Sequence, residues 1–96
     1  MPTELTRLPL ENVTQRLPPG WGIGTLGIEK TFIFHDFREA FGFVTRVALL
    51  AERMNHHPSI RCDYRVVELG LITHDVKGFT DLDLQMAAAI QEFSQS

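Results

Sequence analysis

The residues best suited to chemistry are imidazoles. His56 and His57 are adjacent and precede Pro58, and His74 stands inside Thr73-His74-Asp75. Adjacent histidines make poor core residues, because each buried imidazole needs a hydrogen-bond partner. Pro58 turns His57 away from helical angles, which puts the pair on a bend. His74 follows a long apolar run. Bends and strand ends are where a rigid scaffold presents reactive groups. Three readings stay open at this level: an acid–base cluster, a metal site, or unrelated surface histidines. Three neutral imidazoles can bind Zn²⁺ and leave one position for water. Neighbouring histidines converge on an ion less readily than pairs at i, i+2 or i, i+4. Proton transfer without a metal suits the pattern better, since free imidazole titrates near ~6.5 and exchanges protons at neutral pH. His35 lies on another segment and reads as a polar strand-end residue.

The elements that must position these groups follow from periodicity. Leu10, Val13 and Leu17 predict a short amphipathic helix stopped by Pro18-Pro19-Gly20. Trp21 to Leu26 is turn-rich and is expected to pair, as a hairpin, with a strand from Ile28 to His35. In that strand Phe32 and Phe34 share one face, and Thr31, Ile33 and His35 the other. Asp36 and Glu39 have the spacing of a capping box before a helix from Phe37 to Met54. Its buried stripe is expected at Phe37, Phe41, Val44, Ala48 and Ala51, with Phe43, Val47 and Leu50 widening the apolar surface beyond what one monomer covers. Asp63 to Thr73 reads as one long strand, or two with a bulge near Gly70. Ile60 to Asp63 belongs to a strand before it or to the loop. A last helix begins at Thr80, with Asp83 in the reciprocal capping position, and runs through Met86, Ala87, Ile90 and Phe93. Helices and strands mixed without regular alternation predict an α+β domain with an antiparallel sheet.

Composition narrows the function. Ninety-six residues with 44% hydrophobic and 22% charged side chains make one globular domain, residues 1–96. Net charge is −3 and the basic residues are scattered, so no direct nucleic-acid partner is expected. Cys62 is the only cysteine, which rules out an internal disulfide and fits a reducing compartment. Met1 to Leu10 lacks the pattern of a signal peptide, and no apolar run approaches ~18 residues, so a cytoplasmic protein with no membrane contact is expected. The sequon Asn12-Val13-Thr14 carries no meaning without secretion. Gly22-Ile23-Gly24-Thr25-Leu26-Gly27 matches G-x-G-x-x-G, but a dinucleotide fingerprint needs a strand before it and a helix after it; here prolines precede and a strand follows. Phe32, Phe34, Phe37, Phe41 and Phe43 read as core rather than a base-stacking platform, because no basic residues interleave.

Glu52-Arg53-Met54-Asn55-His56-His57-Pro58, Tyr64, Thr73-His74-Asp75, Gly78 and Asp83, preceded by Phe32, Phe34, Phe37, Ala40-Phe41 and Val47-Ala48, resemble the signature of the pterin-4a-carbinolamine dehydratases. The likeness extends over about residues 17 to 93. It implies a four-stranded antiparallel sheet with three helices on one face, in the order α-β-β-α-β-β-α. It also implies homodimers or homotetramers, and dehydration of 4a-hydroxytetrahydropterin to quinonoid dihydropterin without a metal or redox cofactor. Relatives on this fold also serve as dimerisation or assembly factors, which gives a non-catalytic interaction module as the alternative. Loss of the 4a-hydroxyl as water needs one proton delivered to oxygen and one removed from a ring nitrogen, work that imidazoles can do. From the resemblance, His56 and His74 are expected to carry those protons while His57 holds and polarises the pterin. Glu52 is expected to orient an imidazole and Pro58 to shape the bend. Thr73, Asp75 and Val76 lie on the segment expected to offer backbone groups to the pterin's amide edge. Asp83 is expected to orient His74 or cap its helix. Ser59, Cys62, Arg65 and Lys77 depart from the family pattern, which bears on pterin choice more than on acid–base chemistry.

Overall fold

A computed structural model describes residues 5–94; Met1–Glu4, Gln95 and Ser96, the ends of the expected domain, lie outside them. Helix α1 (Leu10–Arg16) leads into a hairpin of β1 (Gly22–Gly24) and β2 (Gly27–Ile33). Helix α2 (Phe37–Met54) follows, then β3 (Ser59–Asp63), β4 (Val66–Leu71), a 3₁₀ turn (His74–Val76) and α3 (Asp81–Ser94). The four strands form one antiparallel sheet in the order β1-β2-β4-β3.

Register explains the two faces of the sheet. Ile28 pairs with Leu71, Lys30 with Leu69 and Phe32 with Val67, so these side chains share the face covered by the helices. Glu29, Thr31, Ile33, Glu68 and Arg61 fall on the opposite face. Val13, Phe43, Val47, Leu50, Leu84, Met86 and Ile90 complete the core from the helical side.

The start of α2 follows the expected capping box with one change. The Glu39 N–H donates to Asp36 Oδ1 at 2.8 Å, while the Glu39 carboxylate accepts from the His35 N–H at 3.1 Å. The helix bounds match the expectation, but its buried face does not. Ala40, Phe43, Val47, Leu50 and Ala51 face the core, whereas Phe37 and Phe41 are about half exposed (50% and 53%) and Ala48 is exposed. Both faces of α2 carry apolar side chains, so periodicity alone left its rotation open. The sheet decides it: the Phe43 ring packs 4.7 Å from Phe32 and 4.9 Å from Phe34. Phe37 and Phe41 therefore leave the expected core stripe and pack against each other instead, their rings tilted by 45° with centroids 5.7 Å apart.

The long strand expected over Asp63 to Thr73 is also corrected. Ser59–Asp63 and Val66–Leu71 are the two arms of a hairpin that turns at Tyr64, whose φ is 54°. A left-handed tyrosine has no sequence signal as strong as glycine's. Gly70 marks no bulge; a Cβ there would lie 2.5 Å from the carbonyl oxygen of Leu26. Gly27 is under a tighter constraint, since its φ is 102° and an added Cβ would collide with the Leu71 carbonyl oxygen on the neighbouring strand. Backbone strain and overpacking then act together, so Gly27→Ala is expected to lower stability by about 3 kcal/mol. Urea denaturation measures it, and a midpoint unchanged from the parent would contradict this account.

Among the described residues, no helix is long and apolar enough to cross a membrane.

Candidate active site

The bend that carries two of the histidines is built by the end of α2. Asn55 adopts the left-handed conformation (φ 51°, ψ 43°), and its N–H reaches back to the carbonyls of Ala51 and Glu52. Asparagine tolerates this geometry better than most side chains. The chain then reverses, and the His56 N–H donates to Ala51 O at 3.1 Å. His56 is thereby turned inward (8% exposed), while His57 stays exposed.

His74 arrives from the neighbouring strand, because Ser59 at the start of β3 pairs with Gly70 near the end of β4. After β4, Thr73 and Gly78 form an isolated antiparallel bridge, with the Thr73 N–H donating to Gly78 O at 2.8 Å. The turn between them holds His74 and Asp75. Lys77 closes it in the left-handed conformation, its N–H donating to His74 O. Both His74 and Asp75 are exposed.

These segments meet around a cavity of about 210 Å³ lined by Leu5, Asn55, His56, His57, Ile72, Thr73, His74, Asp75 and Leu82. All three expected histidines reach it, together with Thr73 and Asp75. That volume lies below the ~300–1,000 Å³ of sites for drug-sized ligands, and it suits a small heterocycle. Pro58 follows the histidine pair outside the lining, and Val76 lies beyond it in the 3₁₀ turn. Leu5, Asn55, Ile72 and Leu82 were not singled out for the site by the sequence reading, although Asn55 directly before the histidine pair carried the signal of a helix C-cap.

Two carboxylates stand against the histidines, and one of them holds a different imidazole from the one expected. Glu52 was expected to orient an imidazole, and the one its Oε2 meets is that of His57, at Nε2, 2.5 Å away and in the open. Asp83 was expected to orient His74 or cap its helix. It caps α3, as the Thr80 N–H donates to Oδ2 at 3.0 Å, but the imidazole it holds is His56, with Nε2 2.6 Å from Oδ1. Among the described residues, the His74 side chain has no hydrogen-bond partner.

Asp83 is completely buried, and its network assigns its own protons. A carboxylate only accepts, so the Thr73 hydroxyl donates to Oδ2 (2.7 Å) and His56 Nε2–H donates to Oδ1. The Thr73 oxygen then accepts from the Thr80 hydroxyl (2.8 Å), and the Thr80 oxygen accepts from the Leu82 N–H (3.2 Å). Among the described residues, no buried side-chain nitrogen or oxygen lacks a partner. His56 is thus fixed with its proton on Nε2, which leaves Nδ1 as the nitrogen that can gain or lose a proton. Among the described residues, no group of three or more His, Cys, Asp or Glu side chains is placed to hold a metal ion.

Residues 3–93 match the family model described as pterin 4 alpha carbinolamine dehydratase. A protein of Prochlorococcus marinus (strain MIT 9313), provisionally named a pterin-4-alpha-carbinolamine dehydratase, is 49% identical over 88 residues, covering 92% of this chain and 91% of its own. A similarly named protein of Sulfurisphaera tokodaii is 48% identical over 73 residues, 76% of this chain and 78% of its own. The crystal structure of a transcriptional coactivator/pterin dehydratase from Brucella melitensis superposes with a TM-score of 0.82 at 35% identity, covering 91% of this chain and 97% of that one.

Proposed function

Since the chain belongs to the pterin 4 alpha carbinolamine dehydratase family, we propose that it is a cytoplasmic hydro-lyase that converts 4a-hydroxytetrahydropterin to quinonoid dihydropterin. In that role it returns the pterin used by aromatic amino acid hydroxylases. The observation that carries this reading is the convergence of His56, His57 and His74 on one cavity, with His56 backed by the buried Asp83.

The reaction needs two proton transfers and no electron transfer. A protonated imidazole delivers a proton to the 4a-oxygen, the C–O bond breaks and water leaves. A neutral imidazole takes the proton from the neighbouring ring nitrogen as the C=N bond forms. His56 and His74 are the pair assigned to these steps. Asp83 stabilises a positive charge on His56 in a site shielded from water. His74, exposed and unpartnered among the described residues, can exchange its proton with solvent between turnovers. His57, restrained by Glu52, holds and polarises the ring.

The test is stopped-flow dehydration of freshly formed 4a-hydroxytetrahydropterin. Acceleration over buffer supports the reading. No turnover, together with a stoichiometric protein partner from source cells, would favour an interaction module on the same fold.

The reading includes a homo-oligomer. Phe37, Phe41 and Leu49 leave an apolar strip on α2 that is 50%, 53% and 68% exposed. Covering it with a second copy accounts for the unused apolar face of α2. Phe41→Glu is expected to shift the protein to monomer in sedimentation or light scattering. A variant with the parent's mass would put the interface elsewhere.

A further inference from the structure

The segment ahead of α1 has no regular secondary structure, yet its path is fixed. The Leu8 N–H donates to Phe79 O at 2.7 Å, and the Leu8 side chain packs against the core. The Arg7 side chain lies across Gly78, where an added Cβ would come within 2.5 Å of its Nε and 3.1 Å of its Cγ. The place a side chain at position 78 would take is thus occupied by Arg7. Three residues of chain reach about 10 Å at most, so fixing Leu8 also confines Leu5. Leu5 is delivered to the histidine cavity, which it lines.

Most of that lining is polar. Its aliphatic members are Leu5, Ile72 and Leu82, half-buried side chains from three separate segments. A pterin ring is polar around its edge and apolar on its two faces. Proton transfer and hydrogen bonding take place at the edge, whereas the faces gain by leaving water for aliphatic carbon. Ile72 follows β4 and Leu82 lies in the first turn of α3, so sheet and helix account for both positions. Leu5 belongs to neither, and only the pinned segment brings it there.

We propose that residues 5–8 form a strap, seated on Gly78 and Phe79, that holds Leu5 against a face of the bound pterin and makes it a substrate-binding residue. The proposal rests on the dehydratase reading for its ligand. It also gives Gly78 a task at a distance, since a side chain there would unseat the strap.

The experiment measures dehydration kinetics and, separately, fluorescence titration with a stable oxidised pterin. Leu5→Ala is expected to raise KM and the pterin Kd by roughly tenfold while kcat stays within about twofold, because cover on a ring face is the same before and during the proton transfers. Leu5→Met keeps the apolar bulk and should stay near the parent. Gly78→Ala tests the seat: its Cβ displaces the Arg7 side chain and the strap with it, so KM should rise again. Arg7→Ala in the same chain removes the collision and should bring KM back. A Leu5→Ala variant with the parent's KM and Kd would overturn the proposal. So would a Gly78→Ala defect that Arg7→Ala leaves in place, since that defect would belong to the His74 turn. Turnover with a parent-like Leu5→Ala removes the strap and spares the dehydratase reading. Pterin binding that Leu5→Ala weakens, in a parent without turnover, does the reverse.

Discussion

His56→Ala combined with His74→Ala is expected to return dehydration to the uncatalysed rate. Each proton transfer by a positioned side chain contributes on the order of 10²–10⁴, and groups acting on one substrate are not additive. Each single variant should therefore fall by about 10²-fold or more, with the double variant flat against buffer. The two substitutions differ in their structural side effects. The His74 side chain is exposed and held by nothing among the described residues, so its removal should leave the fold intact. Removing His56 strips one of three donors from a fully buried carboxylate, and some loss of stability is expected as well. His56→Gln retains an N–H of similar reach toward Asp83, and separates lost proton transfer from lost folding. Circular dichroism and stopped-flow rates on the same samples decide the matter. A double variant that still accelerates the reaction would take these residues out of the mechanism.

The second large effect belongs to a residue that need not touch substrate. In Asp83→Asn the amide oxygen must still accept from the Thr80 N–H and the Thr73 hydroxyl, so the NH₂ group turns to His56. Nε2 would then have to accept, and the proton would move to Nδ1. The nitrogen left to serve the cavity would hold a proton when it should be free, and protonating the ring would set N–H against N–H. A drop in kcat of about 10³-fold is expected, with KM changing far less, by the same reasoning that makes a carboxylate-to-amide change harmful wherever it fixes an imidazole tautomer. Nitrogen NMR of the His56 ring reads the tautomer directly. Full activity in this variant, or an unchanged tautomer, would reduce Asp83 to a helix cap.

The sequence made the elements and the histidines legible, but not how neighbouring elements face one another. The ends of α2 could be read because Asp36 and Glu39 mark its start and Asn55 and Pro58 its finish. Its rotation could not, because Phe37 and Phe41 repeat at helical spacing as well as Phe43, Val47 and Leu50 do. Only the rings of Phe32 and Phe34 on the sheet choose between them. The turn at Tyr64 was hidden in a run of strand-forming residues, since no glycine or asparagine announces its positive φ. In the site, adjacency identified His56 and His57, and a strand end identified His74. The pairing of Asp83 with His56 could not be foreseen: the two lie 27 residues apart, and their meeting is a product of how α3 docks.

Asp83 performs two tasks with one carboxylate, capping the first turn of α3 and holding His56. Helix ends fray before helices melt. Opening that single turn would release the imidazole while the sheet and its core stayed in place. On warming, the protein should thus fall silent before it unfolds, and recover on cooling as long as the core has held.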